Sequence, residues 1–171
     1  FSRIASQNSN VHLLLIGPSG TEQEYTAFVQ EEISRSGMSA RIIMPGSVSN
    51  LPEYLAASDI FLLPSSREGM SNSLLEAMST GLACVITGAD GMEDIVSTEK
   101  QGIVVPMAAS EEELAVKLEE VIQNPDLRSR LGTAARAHVL QSLPLQMVAD
   151  RYRDLYTPWF ARHQKRGGQV S

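Results

Sequence analysis

The chain has 171 residues, enough for one domain with a hydrophobic core. At 43% hydrophobic and 20% charged residues its composition is ordinary and globular. A formal charge of −6 argues against a nucleic-acid binder, whose footprint is basic. The local exception is Arg162, Lys165 and Arg166, read as a solvated polar tail over 161–171. The single cysteine, Cys84, excludes an internal disulfide and a cysteine-rich zinc site. His12, His138 and His163 stand far apart without metal-like spacing, so no metal is expected. No apolar run approaches the roughly 20 residues of a membrane helix, and no signal-peptide pattern opens the sequence. A reducing, cytoplasmic setting fits. Phe1-Ser2-Arg3-Ile4-Ala5 reads as the end of a helix already under way, which suggests a piece of a longer polypeptide.

Strand-like and helix-like segments alternate. Residues 11–16 form an apolar run ending at Gly17, a buried strand. Residues 22–36 are polar with helical spacing through Tyr25, Phe28, Val29 and Ile33, and Gly37 suits the C-terminal cap. A second strand over 40–44 stops at Pro45-Gly46. A short helix over 51–57 leads to a third strand over 59–63, ending at Pro64. A helix over 72–79 is closed by Gly81, and 82–87 is a fourth strand containing Cys84 as a small buried hydrophobe. After a turn over 88–91 come a short helix over 92–96 and a short last strand over 102–105. Ser110-Glu111-Glu112-Glu113 then has the form of a capping box. Asn124-Pro125-Asp126 breaks that helix, and two more follow, about 127–140 and 144–160.

Near-continuous apolar strands separated by helices predict an α/β fold. A Rossmann-like parallel sheet is covered on both faces and followed by a helical C-terminal tail. The expected organisation is one domain over 1–160. Ligands of such folds bind outside the carboxyl ends of the strands, where residues 64–72 lie.

There Glu68 and Glu76 stand eight positions apart, around Gly69, Met70, Ser71, Asn72 and Ser73. A helix starting near Asn72 or Ser73 presents unpartnered N–H groups and the positive end of its dipole. Gly69 allows close approach to the backbone. This suits a diphosphate, with side-chain donors from Ser71, Asn72 and Ser73. Glu76 can accept from two vicinal hydroxyls, as acidic residues do for ribose in dinucleotide folds. Glu68 can stabilise positive charge at an anomeric carbon. A nucleotide sugar has this chemistry. A plainer account stands equally at this point: Ser73 and Glu76 form a capping box, Asn72 is an N-cap, and Arg67 and Glu68 are solvated loop charges. Gly17-Pro18-Ser19-Gly20 reads as a tight turn. It is neither a dinucleotide fingerprint nor a Walker loop. Asp90 and Glu93 suit turn and N-cap roles, or the border of the pocket.

The series from Ser58 through Pro64 to Gly69, then Leu74-Leu75-Glu76-Ala77-Met78 and Gly81, resembles the C-terminal half of GT-B glycosyltransferases. It is most similar to the large retaining group 1 family, also called family 4, with Glu68 and Glu76 matching its E-x7-E motif. The likeness runs from about residue 11 to 156. It includes the stretches 89–96, 102–106 and 124–128.

The resemblance implies a donor domain for a nucleotide sugar that is UDP-, GDP- or ADP-linked. Glu76 would take the ribose, Gly69 to Ser73 the diphosphate and sugar, and Glu68 would lie near the donor sugar and help the transfer as the catalytic residue. Residues 44–47, Met44 among them, would border the base, and Gly17 would line the cleft. It further implies no metal or other cofactor, retention of anomeric configuration, and a leaving phosphate that helps deprotonate the acceptor. The acceptor, a sugar, glycolipid or other molecule, would be held by an N-terminal domain, with peripheral association at the inner face of a membrane. Two departures stand out. The family's phosphate-clamping Arg and Lys lie on a strand and loop just before the segment seen here, so the domain's first strand and the N-terminal acceptor domain are expected to be missing from this sequence, and Arg3 is not in the clamp's context. Glu93-Asp94 stands where many relatives carry Pro-Glu. The alternatives are a nucleotide-sugar epimerase-like GT-B enzyme and a non-catalytic nucleotide-binding module.

Overall fold

Five short apolar segments become parallel strands, each separated from the next by at least one helix. The computed structural model describes residues 1–18, 23–89 and 91–167. Ser19, Gly20, Glu22 and Asp90 lie outside the described residues, as do the side chains of Tyr25, Glu93, Arg162, His163, Lys165 and Arg166. The order is α1 (Ser2–Gln7), β1 (Leu13–Ile16), α2 (Gln23–Ser36), a 3-10 turn (Ser39–Arg41), β2 (Ile42–Gly46), α3 (Leu51–Ala56), β3 (Ile60–Leu63), α4 (Asn72–Thr80), β4 (Ala83–Thr87), α5 (Met92–Ile95), β5 (Ile103–Val105), α6 (Glu111–Gln123), α7 (Pro125–Ser142) and α8 (Leu145–Gly167).

The strands pair in two hydrogen-bonded sets, β1-β2 and β3-β4-β5, all parallel. Central strand β4 is buried along Ala83 to Ile86 and alternates its side chains between two cores. Cys84 and Ile86 pack with Leu74, Ala77 and Met78 of α4, Met92 and Ile95 of α5, and Ala135 of α7. Ala83 and Val85 face the other way, onto Val105, Val121 of α6 and Leu131 of α7. Helices therefore cover both faces of β4, as the unbroken run Ala83-Cys84-Val85-Ile86 requires.

Helix α7 reaches both clusters because it passes very close to the turn before β4. A Cβ on Gly132 would run into the Gly81 carbonyl, so only glycine fits there. Arg136 Nη1 then donates to the Ser79 carbonyl. Gly81 itself takes φ +88, the left-handed conformation that closes α4 and favours glycine.

Several boundaries differ from those expected. β2 continues through Pro45-Gly46, because a strand with a free edge tolerates a missing N–H there. The last helix does not end at Phe160 but runs to Gly167, with Pro158 inside it. Gly37 closes α2 with φ +68, as its place predicts. The capping box of α6 is formed. Ser110 N donates to Glu113 Oε2 at 2.7 Å, and Glu113 N to Ser110 Oγ at 3.2 Å.

Candidate functional site

The site begins with the way β3 leaves the sheet. Pro64 ends the strand, and the next backbone is pinned from β4: the Thr87 hydroxyl donates to the carbonyls of Leu63 and Ser65. Ser65 in turn donates its hydroxyl to Glu68 Oε1 at 2.8 Å. The half-buried Glu68 carboxylate is thus held by a chain of hydrogen bonds that starts in the central strand. Behind it, Gly91 takes φ +84 at the start of α5, and a Cβ there would sit 3.4 Å from the Gly69 carbonyl oxygen. The loop before α4 therefore rests on the turn after β4.

Helix α4 starts at Asn72, with Ser71 as its N-cap. Ser71 Oγ accepts from Leu74 N at 3.4 Å and lies 3.0 Å from Ser73 Oγ, while the Ser71 carbonyl accepts from Leu75 N. This removes the plainer account of Asn72 and Glu76. Asn72 is the first helical residue, not the cap. Glu76 falls on the second turn, beyond the third helical position from which a capping-box acid reaches back. Glu76 is exposed, and its carboxylate bonds to no described residue. The N–H groups of Asn72 and Ser73 also have no partner among the described residues, as expected in a first helical turn. Met70 is 70% exposed beside them. The half-buried Glu68 and the open amides, hydroxyls and carboxylate of α4 thus adjoin along one short stretch of chain. They can accept hydroxyls at two carboxylates and donate to an anion between them.

Gly17 and Met44 belong to the other strand set. Gly17 N donates to the Gly46 carbonyl at 3.1 Å, tying the carboxyl ends of β1 and β2 together. Met44 lies within β2, 40% exposed, and not in a loop after it. Among the described residues no hydrogen bond joins Gly17 or Met44 to the β3–α4 junction. A groove of about 440 Å³ on the α1–α2 side is lined by Phe1, Phe28, Ile33 and Ile42 among others, and by none of these candidate residues. Ser65 and Thr87 are positioning residues that motif reading passes over. The signal for Ser65 is a hydroxyl three positions before a carboxylate. Thr87 closes an otherwise apolar strand and gives no such sign. Among the described residues no cluster of His, Cys, Asp or Glu has the arrangement to hold a metal ion.

The chain is similar to a range of sugar-transferring proteins. It is 24% identical over 156 residues to N-acetyl-alpha-D-glucosaminyl L-malate synthase of Bacillus anthracis, covering 91% of this chain and 39% of that protein. It is 39% identical over 67 residues to an Escherichia coli UDP-Gal:alpha-D-GlcNAc-diphosphoundecaprenol alpha-1,3-galactosyltransferase, covering 39% of this chain and 17% of the relative. The chain thus spans well under half the length of these curated relatives. In fold it matches Anabaena Alr3699/HepE, solved with UDP, at a TM-score of 0.83 and 21% identity over 92% of this chain and 44% of that one. Sucrose-phosphate synthase from Thermosynechococcus elongatus matches at 0.84 and 22%, over 94% of this chain and 41% of that one. These likenesses establish the α/β architecture. The family model "Glycosyl transferases group 1" matches residues 1–138, which include every element from α1 to α6 and the whole β3–α4 junction. By that match the chain belongs to the group 1 glycosyltransferases.

Proposed function

We propose that this chain is the donor half of an enzyme that transfers a sugar from a nucleoside diphosphate sugar to an acceptor, with retention of configuration. The observation that carries the reading is the β3–α4 junction. An N-terminal helical turn whose Asn72 and Ser73 amides have no partner among the described residues lies between an anchored Glu68 and an exposed Glu76 that bonds to no described residue. The amides and the dipole of α4 receive the diphosphate. Glu76 accepts from the ribose hydroxyls, and the Gly69–Ser73 backbone borders the sugar. Gly17 lines the cleft and Met44 borders the base. UDP and UDP-glucose, which the Anabaena protein holds in its solved complexes, support a nucleotide sugar as donor.

Glu68 faces the reacting centre. As the bond from the anomeric carbon to the diphosphate oxygen breaks, positive charge grows on that carbon, and a fixed carboxylate stabilises it. Its hydrogen bond from Ser65 sets its direction before substrate arrives, so no reorganisation is needed during the reaction. The acceptor oxygen bonds to the anomeric carbon, and its proton passes to the departing phosphate oxygen. The acceptor is held by a domain outside this chain. A lipid-linked sugar acceptor is consistent with the diphosphoundecaprenol named for the Escherichia coli relative. The enzyme then works in the cytoplasm at the inner membrane face. No helix among the described residues is long and apolar enough to cross a membrane.

The test is a transfer assay on the longest polypeptide that contains this chain, with UDP-, GDP- and ADP-linked sugars and lipid-linked acceptors. The expected product is an α-configured glycoside from an α-linked donor, with Glu68→Gln lowering kcat by about 100-fold or more. Acceptor-independent formation of an epimerised or free sugar would favour an epimerase-like enzyme instead.

A further inference from the structure

We infer that the loop between β3 and α4 also recognises the acceptor: Arg67 takes a phosphate group attached to the acceptor sugar, and the Met70 side chain takes the apolar chain beyond that phosphate. The inference rests on the proposed transfer from a nucleotide sugar. It deepens that reading by assigning part of acceptor recognition to this chain.

It starts from two side chains that the fold does not use. Arg67 is exposed and bonds to no described residue. Arg35, Arg41, Arg128, Arg136 and Arg153, by contrast, each donate to a carboxylate or a carbonyl. Arg3, Arg130 and Arg151 bond to no described residue either, but they stand on α1, α7 and α8. Arg67 stands in the loop after the carboxyl end of β3, directly before Glu68. Met70, two residues after Glu68, is 70% exposed, more than any other large apolar side chain among the described residues. Burial of such a side chain stabilises a fold, and the fold gains nothing from Met70.

The backbone that carries the pair is nonetheless fixed. The Thr87 hydroxyl holds the Leu63 and Ser65 carbonyls, Ser65 holds Glu68, and the Gly69 carbonyl lies against Gly91. Arg67 and Met70 therefore project from a pre-organised loop, and a ligand that meets them does not have to order it.

Their place in the loop selects the ligand. Along the chain they lie no more than about 11 Å apart, on either side of the residue that faces the reacting centre. The donor diphosphate is received by the amides and dipole of α4, which follow Glu68. Arg67 precedes Glu68, so in the chain it stands on the other side of the carboxylate from those amides. The anion left for it is one that arrives with the acceptor. The net charge of −6 repels such an anion, and a cation at the site offsets that repulsion locally. A guanidinium matches phosphate oxygens in a bidentate manner. A cation with an exposed thioether chain beside it is the complement of a phosphate joined to a hydrocarbon.

Steady-state transfer by the longest polypeptide that contains this chain tests the inference. The sugar that accepts in the assay above would be presented on farnesyl diphosphate, on methyl diphosphate, and on an octyl group without phosphate. Arg67→Gln should raise KM about 10-fold for both diphosphate-linked acceptors, with kcat, the donor KM and the KM for the octyl glycoside unchanged. Arg67→Lys should recover part of the loss. Met70→Ser should raise KM about 5-fold for the farnesyl acceptor and leave that for the methyl acceptor as it was. An unchanged KM in Arg67→Gln, or an equal rise with all three acceptors, would overturn the inference. So would a rise in the donor KM alone, which would assign Arg67 to the donor diphosphate, or absence of transfer to either diphosphate-linked acceptor. Failure of the donor reading would show separately, as absence of saturable amide shifts with UDP, GDP and ADP in the wild-type chain.

Discussion

Two half-buried hydroxyl residues show how much the site depends on its supports. Thr87 fixes the Ser65 carbonyl and Ser65 fixes Glu68, so the carboxylate's direction originates in β4. Three residues before Thr87, Cys84 is fully buried, and that burial pushes its thiol up to about 12 from an ordinary 9.0. An acid whose pKa is raised by folding stabilises the native state fully below its unfolded pKa, and loses that contribution as pH rises toward the folded value. For Cys84 the window opens near pH 9.0 and closes near 12. Between pH 7 and pH 10 the wild-type chain should lose about 1.4 kcal/mol more unfolding free energy than Cys84→Ala, as measured by urea denaturation at both pH values. A parallel fall in the two proteins would mean that the thiol is accessible to water. The strand run around Cys84 makes its burial legible in the sequence. The Thr87–Ser65–Glu68 chain is not, because it joins residues 22 positions apart through a pairing that only the folded sheet creates.

Among the elements, α4 carries the most consequence. Ser71, Asn72 and Ser73 are all strong N-cap residues, so residue type alone leaves the helix start open by two positions. The choice decides whether Glu76 is spent on capping or is available. The structure selects Ser71, which is 5% exposed and accepts from Leu74 N. Ser71→Ala should therefore cost about 1 kcal/mol in thermal or urea unfolding, whereas Asn72→Ala should change stability by no more than a few tenths. Equal costs would relocate the cap. The other helix starts were easier to read, since Ser110 with Glu113, and Asn124 before Pro125, each offer one capping residue in the right place. The end of α8 was not. The charged residues after Phe160 suggest a tail, but Ala161, Arg162, Gln164, Lys165 and Arg166 are all good helix formers, and the helix continues through them.

At the scale of the molecule, hydrophobic period identified the strands, their parallel sense and their two-sided cover. It did not reveal the division into β1-β2 and β3-β4-β5, because pairing order depends on contacts between distant segments and not on any local pattern. Helix α8 carries an exposed apolar face. Val148, Tyr152, Leu155, Tyr156 and Trp159 are exposed at helical spacing along one face, with the Tyr152 and Tyr156 rings stacked at 6.1 Å.

The central claim is that α4 and Glu76 form the nucleotide subsite. The direct measurement is a titration with UDP, GDP and ADP, followed by amide shifts, on the wild-type chain and on Glu76→Ala. Because the Glu76 carboxylate is exposed and has no bond to a described residue, the substitution should leave the unfolding temperature unchanged. The account predicts saturable shifts centred on Asn72, Ser73 and their neighbours with one of the three nucleotides. Loss of the ribose contact should then weaken affinity by about 10- to 100-fold in Glu76→Ala. Equal affinity in the two proteins, or shifts that cluster away from the β3–α4 junction, would contradict it.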